Sequence, residues 1–420
     1  MWQAENRVTM LPAVGVYERR PVAGNPSSVD PHASHGPSHP KEYIVKKFLI
    51  NVVACAAVVA SVSMAAPASA HDQGGWPPVT AGTPVTLTSG LVSPLSLEVD
   101  KGGTAYVSEN FAGLVTRVNR HGHKTNIATT DGLETSAVSS RNGTVYWAET
   151  AQDHSSSVLM SRDRHGKVRQ VADLWAHENA KNPDQVNHYG FEGLDAACLA
   201  QFPPPGPMMN AASYTGIVDT HPYSSLALRD AIYVADAGAN AILRVGYNGK
   251  VSTVAVLKPT APIFVTAEIA AEAGFPSCAA GHNYRFEPVP TDVELGPDGW
   301  LYVTSLPGGP EDASLGARGT VQKVNPHNHH IKIVAKGFLG ATGLAISRTG
   351  TIFVAELFAG QVSVVKHGAK MGTPLVKLSQ PAAIELLGTK LYVTTDVLSE
   401  TGAGAITIVP LKTHGGHGHI

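Results

Sequence analysis

The chain has 420 residues, of which 43% are hydrophobic and 15% are charged, and its formal net charge at pH 7 is −2. This balance excludes binding to nucleic acid or to an acidic surface through bulk positive charge. The 42 glycines and 29 prolines are typical of an all-β protein that is rich in turns.

The N-terminal 70 residues divide into two parts. Residues 1–44 are rich in Pro, Ser and His and have no apolar periodicity, so we expect a disordered extension or a start codon placed too early. In residues 45–70, two lysines precede an apolar run that ends in Ala68-Ser-Ala70, which is the pattern of a Sec signal peptide. A membrane anchor is the alternative, but polar residues interrupt the run. The sequence predicts cleavage after Ala70 and a secreted protein without a membrane association.

The most informative stretch of the remaining chain is Pro290 to Thr304. Two runs of β-forming residues flank an Asp-Gly turn at Asp298-Gly299, which predicts a hairpin. Six copies of this hairpin occur along the chain, and several of them are spaced by roughly forty residues. Their second strands are Ala105-Tyr-Val-Ser108, Val145-Tyr-Trp-Ala148, Ile232-Tyr-Val-Ala235, Leu301-Tyr-Val-Thr304, Ile352-Phe-Val-Ala355 and Leu391-Tyr-Val-Thr394.

Two more strand-like pieces follow each hairpin, as in Val115–Val118 and Thr125–Ala128. Four short strands in each repeat are typical of propeller blades, so the sequence predicts an all-β, six-bladed β-propeller over residues 82–411. The last repeat lacks its fourth strand, whereas Val85–Thr88 looks like a strand without a blade of its own. We therefore expect this N-terminal strand to pair with Ala405–Val409 and close the ring, which leaves no sheet edge.

Short segments flank the predicted propeller. Residues 71–81 are interpreted as a linker, and residues 412–420 as a flexible His-rich tail that could hold a transition metal only loosely. The chain contains no motif for a cofactor. A Ca²⁺ ion in the channel is a secondary hypothesis, because acidic residues occupy equivalent positions in three repeats. These residues are Glu98, Glu294 and Glu385.

Two long insertions interrupt the regular spacing, at residues 175–220 and 258–289. Long loops on a rigid scaffold are common places for function. Each insertion contains one of the two cysteines that remain after signal cleavage, Cys198 and Cys278. In an oxidising compartment this pair predicts a disulfide, and two separate buried thiols are the alternative. The second insertion also predicts a short helix over Thr266–Ala273.

The residues that lead into the first strands are the candidate binding residues. First strands line the central channel of a propeller, so these residues should surround one mouth of the channel. They are Glu134, Asp219, His221, Tyr223 and Asp292. The alternative is structural, with Tyr223 plugging the channel and Asp292 capping a turn.

Acidic residues also end four of the second strands. We interpret them as hydrogen-bond acceptors for the backbone of nearby turns, because short acidic side chains often take this role. They are Glu109, Glu149, Asp236 and Glu356.

Several stretches together resemble the ScyD/ScyE family of exported propellers, whose members are encoded beside scytonemin biosynthesis. The matching stretches are Glu178–Asp184, Asp219–Leu228, Tyr233–Val245, Val289–Val303 and Gly316–Pro326. The resemblance covers roughly Thr80 to Leu411, and Asp236–Arg244 also resembles the NHL repeat. The chain departs from the family at His221-Pro-Tyr-Ser224, where Asn-Pro-Tyr-Gly is usual. The resemblance implies a fold and export, but no defined activity.

Two functions fit these patterns. The first is a secreted, monomeric binding module that holds a small-molecule ligand or an extracellular protein with loops at one channel mouth. The alternative is a propeller enzyme, a hydrolase or lyase similar to the gluconolactonase or strictosidine-synthase groups, with a cation in the channel. The positions that open the first strands themselves are mostly Pro, Ala, Thr and Ser, and only Glu134 and Asp292 among them are acidic, which favours the binding module.

Overall fold

The computed structural model describes residues 79–206, 210–399 and 402–413. These residues form an all-β structure of seven antiparallel sheets with three short α-helices. The predicted N-terminal extension and signal peptide lie outside the described residues. No helix within the described part of the chain is long and apolar enough to cross a membrane.

The strands are short and follow one another closely along the chain. The first ten are β1 (Val79–Ala81), β2 (Val85–Leu91), β3 (Pro94–Val99), β4 (Ala105–Glu109), β5 (Leu114–Val118), β6 (Lys124–Thr129), β7 (Glu134–Arg141), β8 (Thr144–Thr150), β9 (Ser157–Arg162) and β10 (Val168–Asp173). The next eight are β11 (His188–Glu192), β12 (Ser213–Thr215), β13 (Pro222–Ala227), β14 (Ile232–Asp236), β15 (Ala241–Val245), β16 (Val251–Val256), β17 (Ile263–Phe264) and β18 (Asn283–Arg285). The last eleven are β19 (Pro290–Leu295), β20 (Leu301–Ser305), β21 (Gly319–Val324), β22 (Ile331–Phe338), β23 (Ala341–Ile346), β24 (Ile352–Glu356), β25 (Gln361–Val365), β26 (Thr373–Lys377), β27 (Ile384–Leu387), β28 (Lys390–Thr395) and β29 (Gly404–Thr413). The helices are α1 (Leu174–Lys181), α2 (Ala196–Leu199) and α3 (Ala267–Glu272).

The predicted hairpins are present, and the turn at Asp298-Gly299 shows why they form. Gly299 has a φ of 77°, a left-handed conformation that glycine adopts without steric cost. The Gly296 N–H donates to the Trp300 carbonyl over 2.8 Å, so β19 and β20 pair directly across the turn. Turn chemistry and β-branched residues therefore place these strands as the sequence predicts.

Six of the sheets surround a common axis. Their first strands, β3, β7, β13, β19, β23 and β27, contact one another in a closed cycle in that order. Apolar side chains fill the space between neighbouring sheets: Leu159 of β9 and Leu243 of β15, for example, are almost completely buried in one cluster. This arrangement is a β-propeller, and it brings the starts of the first strands together.

Both ends of the chain complete the sheet that contains β27 and β28. Strand β2 pairs with β29, with Val85 opposite Ile408 and Ser89 opposite Ala405, which confirms the predicted pairing. Strand β1 also pairs with β29, so residues 79–81 are not linker and residues 412–413 are not tail. Neither piece has a pattern of its own, because each becomes a strand only by pairing with the other. The rest of the predicted tail, residues 414–420, lies outside the described residues.

The two long insertions form a seventh sheet together, in the order β12-β11-β18-β17. Gly190 of the first insertion lies opposite Arg285 of the second, so these segments are more than the loops that the sequence suggests. The predicted Cys198–Cys278 disulfide is present, with a Cα–Cα distance of 5.8 Å. The predicted helix is confirmed as α3, whose N-cap Thr266 accepts a hydrogen bond from the Ile269 N–H.

Candidate functional site

Glu134 and His221 form an ion pair between neighbouring sheets. Glu134 is the first residue of β7, and His221 immediately precedes β13. Because these two first strands pack side by side, Glu134 Oε2 lies 3.1 Å from His221 Nε2. The His221 backbone N–H donates to Asp236 Oδ1 over 2.7 Å, which fixes the position of the histidine.

His154 lies in the turn between β8 and β9, and its side chain is next to that of His221. Its backbone N–H donates to the Ala151 carbonyl, and its φ of 56° is uncommon for a residue other than glycine. The turn is held by Asp153 Oδ1, which accepts the Ser155 N–H over 3.0 Å. His154 Nδ1 lies 2.7 Å from Asp219 Oδ1. Sequence reasoning missed His154, because nothing in its local sequence indicates a partner that is 65 residues away.

The two histidine rings are stacked, with centroids 4.5 Å apart and planes at 25°. We call Glu134, His154, Asp219 and His221 the histidine-pair site. Each imidazole has a carboxylate partner of its own, and the His154 and His221 side chains are only 14% and 11% exposed. Three of the predicted site residues, Glu134, Asp219 and His221, therefore do come together.

The electrostatics of the site favour a charged Glu134–His221 pair. Burial opposes ionisation of Glu134, but the hydrogen bond and charge of His221, with the charge of His154, outweigh it and lower the pKa of Glu134. Burial likewise opposes the charge on His221, but Glu134, Asp219 and Asp236 outweigh it and raise the pKa of His221. Both shifts stabilise carboxylate beside imidazolium.

We expect the Glu134→Gln variant to lose stability in a pH-dependent way. Folding raises the pKa of His221, so its contribution to stability is complete below the ordinary histidine pKa of 6.5 and is lost as the pH rises through the folded-state pKa. Folding lowers the pKa of Glu134, so its contribution to stability is present above the ordinary glutamate pKa of 4.5 and is lost as the pH falls through the folded-state pKa. The difference in unfolding free energy should therefore be largest between these two values, at about 2 kcal/mol. Denaturant titrations across pH measure it, and a difference that is constant with pH would contradict the ion pair.

Tyr223 lies away from the histidine-pair site. Its side chain is buried in an apolar cluster that includes Leu95, Val289 and Leu357, contributed by different sheets around the axis. Burial raises the pKa of its phenol well above the usual range. These contacts give Tyr223 a place in the apolar core, and its role as a channel plug stays a prediction.

Asp292 also lies outside the histidine-pair site and connects three sheets. Its Oδ1 accepts hydrogen bonds from Ser224 Oγ over 2.6 Å and from its neighbour Val293 N–H over 2.8 Å, and its Oδ2 accepts the Leu344 N–H over 2.7 Å. Burial raises the pKa of the Asp292 carboxyl to about 6. The geometry assigns Asp292 a structural role, which differs from the turn-capping alternative in that its partners belong to β13, β19 and β23.

We expect Asp292→Ala to destabilise the fold by about 3 kcal/mol, because it leaves three donors, two of them buried, without an acceptor. Thermal and denaturant unfolding measure the loss. The matched control is Asp131→Ala at an exposed turn position, which should change stability little. An Asp292→Ala protein as stable as this control would contradict the structural role.

The acidic residues at the ends of second strands behave mostly as expected. Glu109, Asp236 and Glu356 each accept a backbone N–H, from Val92, His221 and Leu339 respectively. Glu149 is the exception, because its carboxylate accepts the indole N–H of Trp147 over 2.9 Å.

The equivalent glutamates Glu98, Glu294 and Glu385 influence one another in the channel. Burial, reinforced by neighbouring carboxylates, raises the pKa of all three, and that of Glu98 reaches about 7. Within the described residues, no three His, Cys, Asp or Glu side chains converge closely enough to hold a metal ion.

Comparison with protein-family models finds no match, and no curated protein matches the sequence. Among solved structures, the chain is similar to a PQQ-bound aldose sugar dehydrogenase from Streptomyces coelicolor, at 14% identity and a TM-score of 0.48, over 80% of this chain and 100% of that one. It is also similar to a gluconolactonase from Xanthomonas campestris, at 12% identity and a TM-score of 0.48, over 79% of this chain and 90% of the other. A catalytically inactive virginiamycin B lyase from Staphylococcus aureus is similar at 12% identity and a TM-score of 0.41, over 75% and 82% of the two chains. These similarities are too weak to carry an argument about activity.

Proposed function

We propose that the chain is a secreted, monomeric six-bladed β-propeller enzyme, a hydrolase or lyase whose proton transfers take place at the histidine-pair site. The observation that carries this proposal is the stacked pair of imidazoles, each bonded to its own carboxylate. The six sheets whose first strands form a closed cycle support the blade number. The ScyD/ScyE resemblance and the predicted signal peptide support export.

The two histidines suit different roles. Asp219 contacts Nδ1 of His154, which orients the ring and leaves Nε2 as the nitrogen for exchange with a ligand. Glu134 favours the protonated form of His221. A His154 ring that donates from Nδ1 to Asp219 offers a lone pair at Nε2, whereas a protonated His221 ring offers a proton. A base and an acid are thereby held side by side.

This arrangement fits a small substrate with an ester or lactone carbonyl. In hydrolysis, His154 would take a proton from water as the water oxygen attacks the carbonyl carbon. His221 would give the proton on Nδ1, the ring nitrogen that Glu134 does not hold, to the departing alkoxide. In a lyase reaction, the same pair would remove a proton next to the carbonyl and protonate the leaving group. The carboxylates would stay ionised in both cases, Glu134 beside the imidazolium and Asp219 as the residue that orients His154.

The binding module remains the second candidate, and one observation favours it. The Cys198–Cys278 disulfide ties the two insertions that form the seventh sheet, so this sheet offers a rigid wall for a ligand. In that case the histidine-pair site would bind a small molecule or an extracellular protein without turnover. Sequence reasoning preferred this function, but it did not include His154.

Turnover of a panel of lactones, aryl esters and carbonyl compounds with a β-leaving group tests the proposal. We expect the wild-type chain to act on at least one class, and His154→Ala to lower the rate by about 100-fold or more. The control is His165→Ala, an exposed histidine in another turn, which should keep the wild-type rate. Equal turnover by the wild type and His154→Ala would place the activity elsewhere, and binding without turnover that is lost in His154→Ala would select the binding module.

A further inference from the structure

A group of buried acceptor oxygens lies beside the histidine-pair site, at the end of α1. Glu178 is 1% exposed, and neither of its carboxylate oxygens has a hydrogen-bond partner. Burial, with the nearby charges of Asp236, Asp184 and Asp219, raises the pKa of Glu178 to about 9, although the backbone N–H of Asp219 acts in the opposite direction. A buried carboxylate in such surroundings needs a compensating positive charge or a proton.

Two further residues of the same segment present unpartnered oxygens. Asn182 donates from Nδ2 to the Gly216 carbonyl over 2.9 Å, which fixes the amide so that Oδ1 is the buried atom without a partner. Asp184, also 1% exposed, accepts the Tyr189 hydroxyl and Asn240 Nδ2 at its Oδ2 only. Its Oδ1 is buried and has no partner. Four acceptor atoms on three residues are thus left without donors.

The Gly216 backbone packs closely against Asp184 and brings Asn182, whose amide donates to the Gly216 carbonyl, to the same place. A Cβ on Gly216 would lie 2.0 Å from Asp184 Oδ1, so only glycine permits this close approach. The unpartnered set contains acceptors alone: two carboxylates and one amide oxygen. Acceptors of this kind are the ligands of hard cations, and Ca²⁺ in particular completes its shell with backbone carbonyls and water.

We propose that Glu178, Asn182 and Asp184 form a binding site for a divalent oxygen-seeking cation, Ca²⁺ in preference to Mg²⁺. Two carboxylates and one amide oxygen, completed by backbone carbonyls or water, suit the flexible oxygen shell of Ca²⁺ better than that of Mg²⁺, which demands a near-octahedral arrangement and keeps several waters. The cation would neutralise the acidic side chains around Glu178 and fix the segment that leads from α1 to β11. This proposal does not depend on the proposed enzymatic function, because binding is measured without a substrate.

The test uses the full chain, with calcium bound at equilibrium measured by elemental analysis after dialysis, and with Tb³⁺ luminescence as a second readout. Tyr189 donates to Asp184 over 3.0 Å, so Tb³⁺ at the site should emit when tyrosine is excited. We expect one Ca²⁺ per chain, Tb³⁺ emission that Ca²⁺ suppresses more effectively than Mg²⁺, and an affinity at least about tenfold lower in Glu178→Gln and Asp184→Asn. The control is Glu272→Gln in α3, an exposed glutamate, which should bind like the wild type.

The competing explanation is that Glu178 carries a proton and no cation binds. Glu178→Gln would then be as stable as the wild type at any calcium concentration, and dialysis would leave no calcium on the protein. Either result overturns the proposal. Because the elemental analysis uses the wild-type chain, it decides the question even if a variant does not fold.

Discussion

A chain that begins after Ser89 is expected to yield no soluble protein. The truncation removes β1 and nearly all of β2, and thereby exposes one long edge of β29, which both strands cover. An unpaired strand of ten residues is a template for aggregation. The ring would also lose its closure, because β2 is the N-terminal partner of the C-terminal sheet.

Soluble yield and size-exclusion chromatography of the truncated chain measure this effect. The matched control begins at residue 79, which keeps β1 and β2 and should fold like the full chain. A protein truncated after Ser89 that stays monomeric and melts like this control would show that the pairing with β29 is dispensable.

Replacement of Cys198 and Cys278 by serine is expected to destabilise the protein by about 4 kcal/mol, less any strain that is relieved. The disulfide joins residues 80 positions apart, and such a long loop gains much freedom in the unfolded chain when the bond is absent. The seventh sheet should loosen first, because its strands are only two to five residues long.

Denaturant unfolding of the Cys198→Ser/Cys278→Ser variant measures the loss. Reducing agent should lower the stability of the wild type towards that of the variant and leave the variant unchanged. Equal stability of wild type and variant would mean that the insertions are held by their other contacts, such as the aromatic cluster around Phe191.

The repeated hairpins could be predicted from the sequence because local chemistry decides them. Leu301–Ser305 combines β-branched and aromatic residues with an Asp-Gly turn just before it, and the structure places β20 at these residues. All five residues of β20 are buried, as expected for a short, continuous β-forming run inside the fold. The pairing of β2 with β29 could also be inferred, because the last repeat lacks its fourth strand and Val85–Thr88 belongs to no repeat of its own.

The seventh sheet could not be predicted, because its pairings join two insertions that are separated by a whole sheet. Strand β17 has only two residues, too few for any periodicity to appear. The extra pairing of β1 with the end of β29 was hidden for the same reason. In both cases tertiary contact creates the strand.

In the candidate site, too, some residues could be predicted from the local sequence and others depend on tertiary contacts. Glu134, Asp219 and His221 could be named because the starts of first strands must meet at one mouth of the channel. Asp292 satisfies the same rule but serves three sheets as a hydrogen-bond acceptor, which depends on where Ser224 and Leu344 happen to lie. His154 is a turn residue, and only the folded chain brings it to Asp219.

We propose that Glu134 keeps His221 protonated so that the histidine pair can act as acid and base. The most direct test of this role is the pH dependence of kcat/KM, measured for the wild type and for Glu134→Gln on the best substrate of the panel. We predict a bell-shaped profile whose basic limb, which reports the loss of the His221 proton, moves to lower pH in Glu134→Gln. Profiles with the same basic limb in both proteins would contradict the claim.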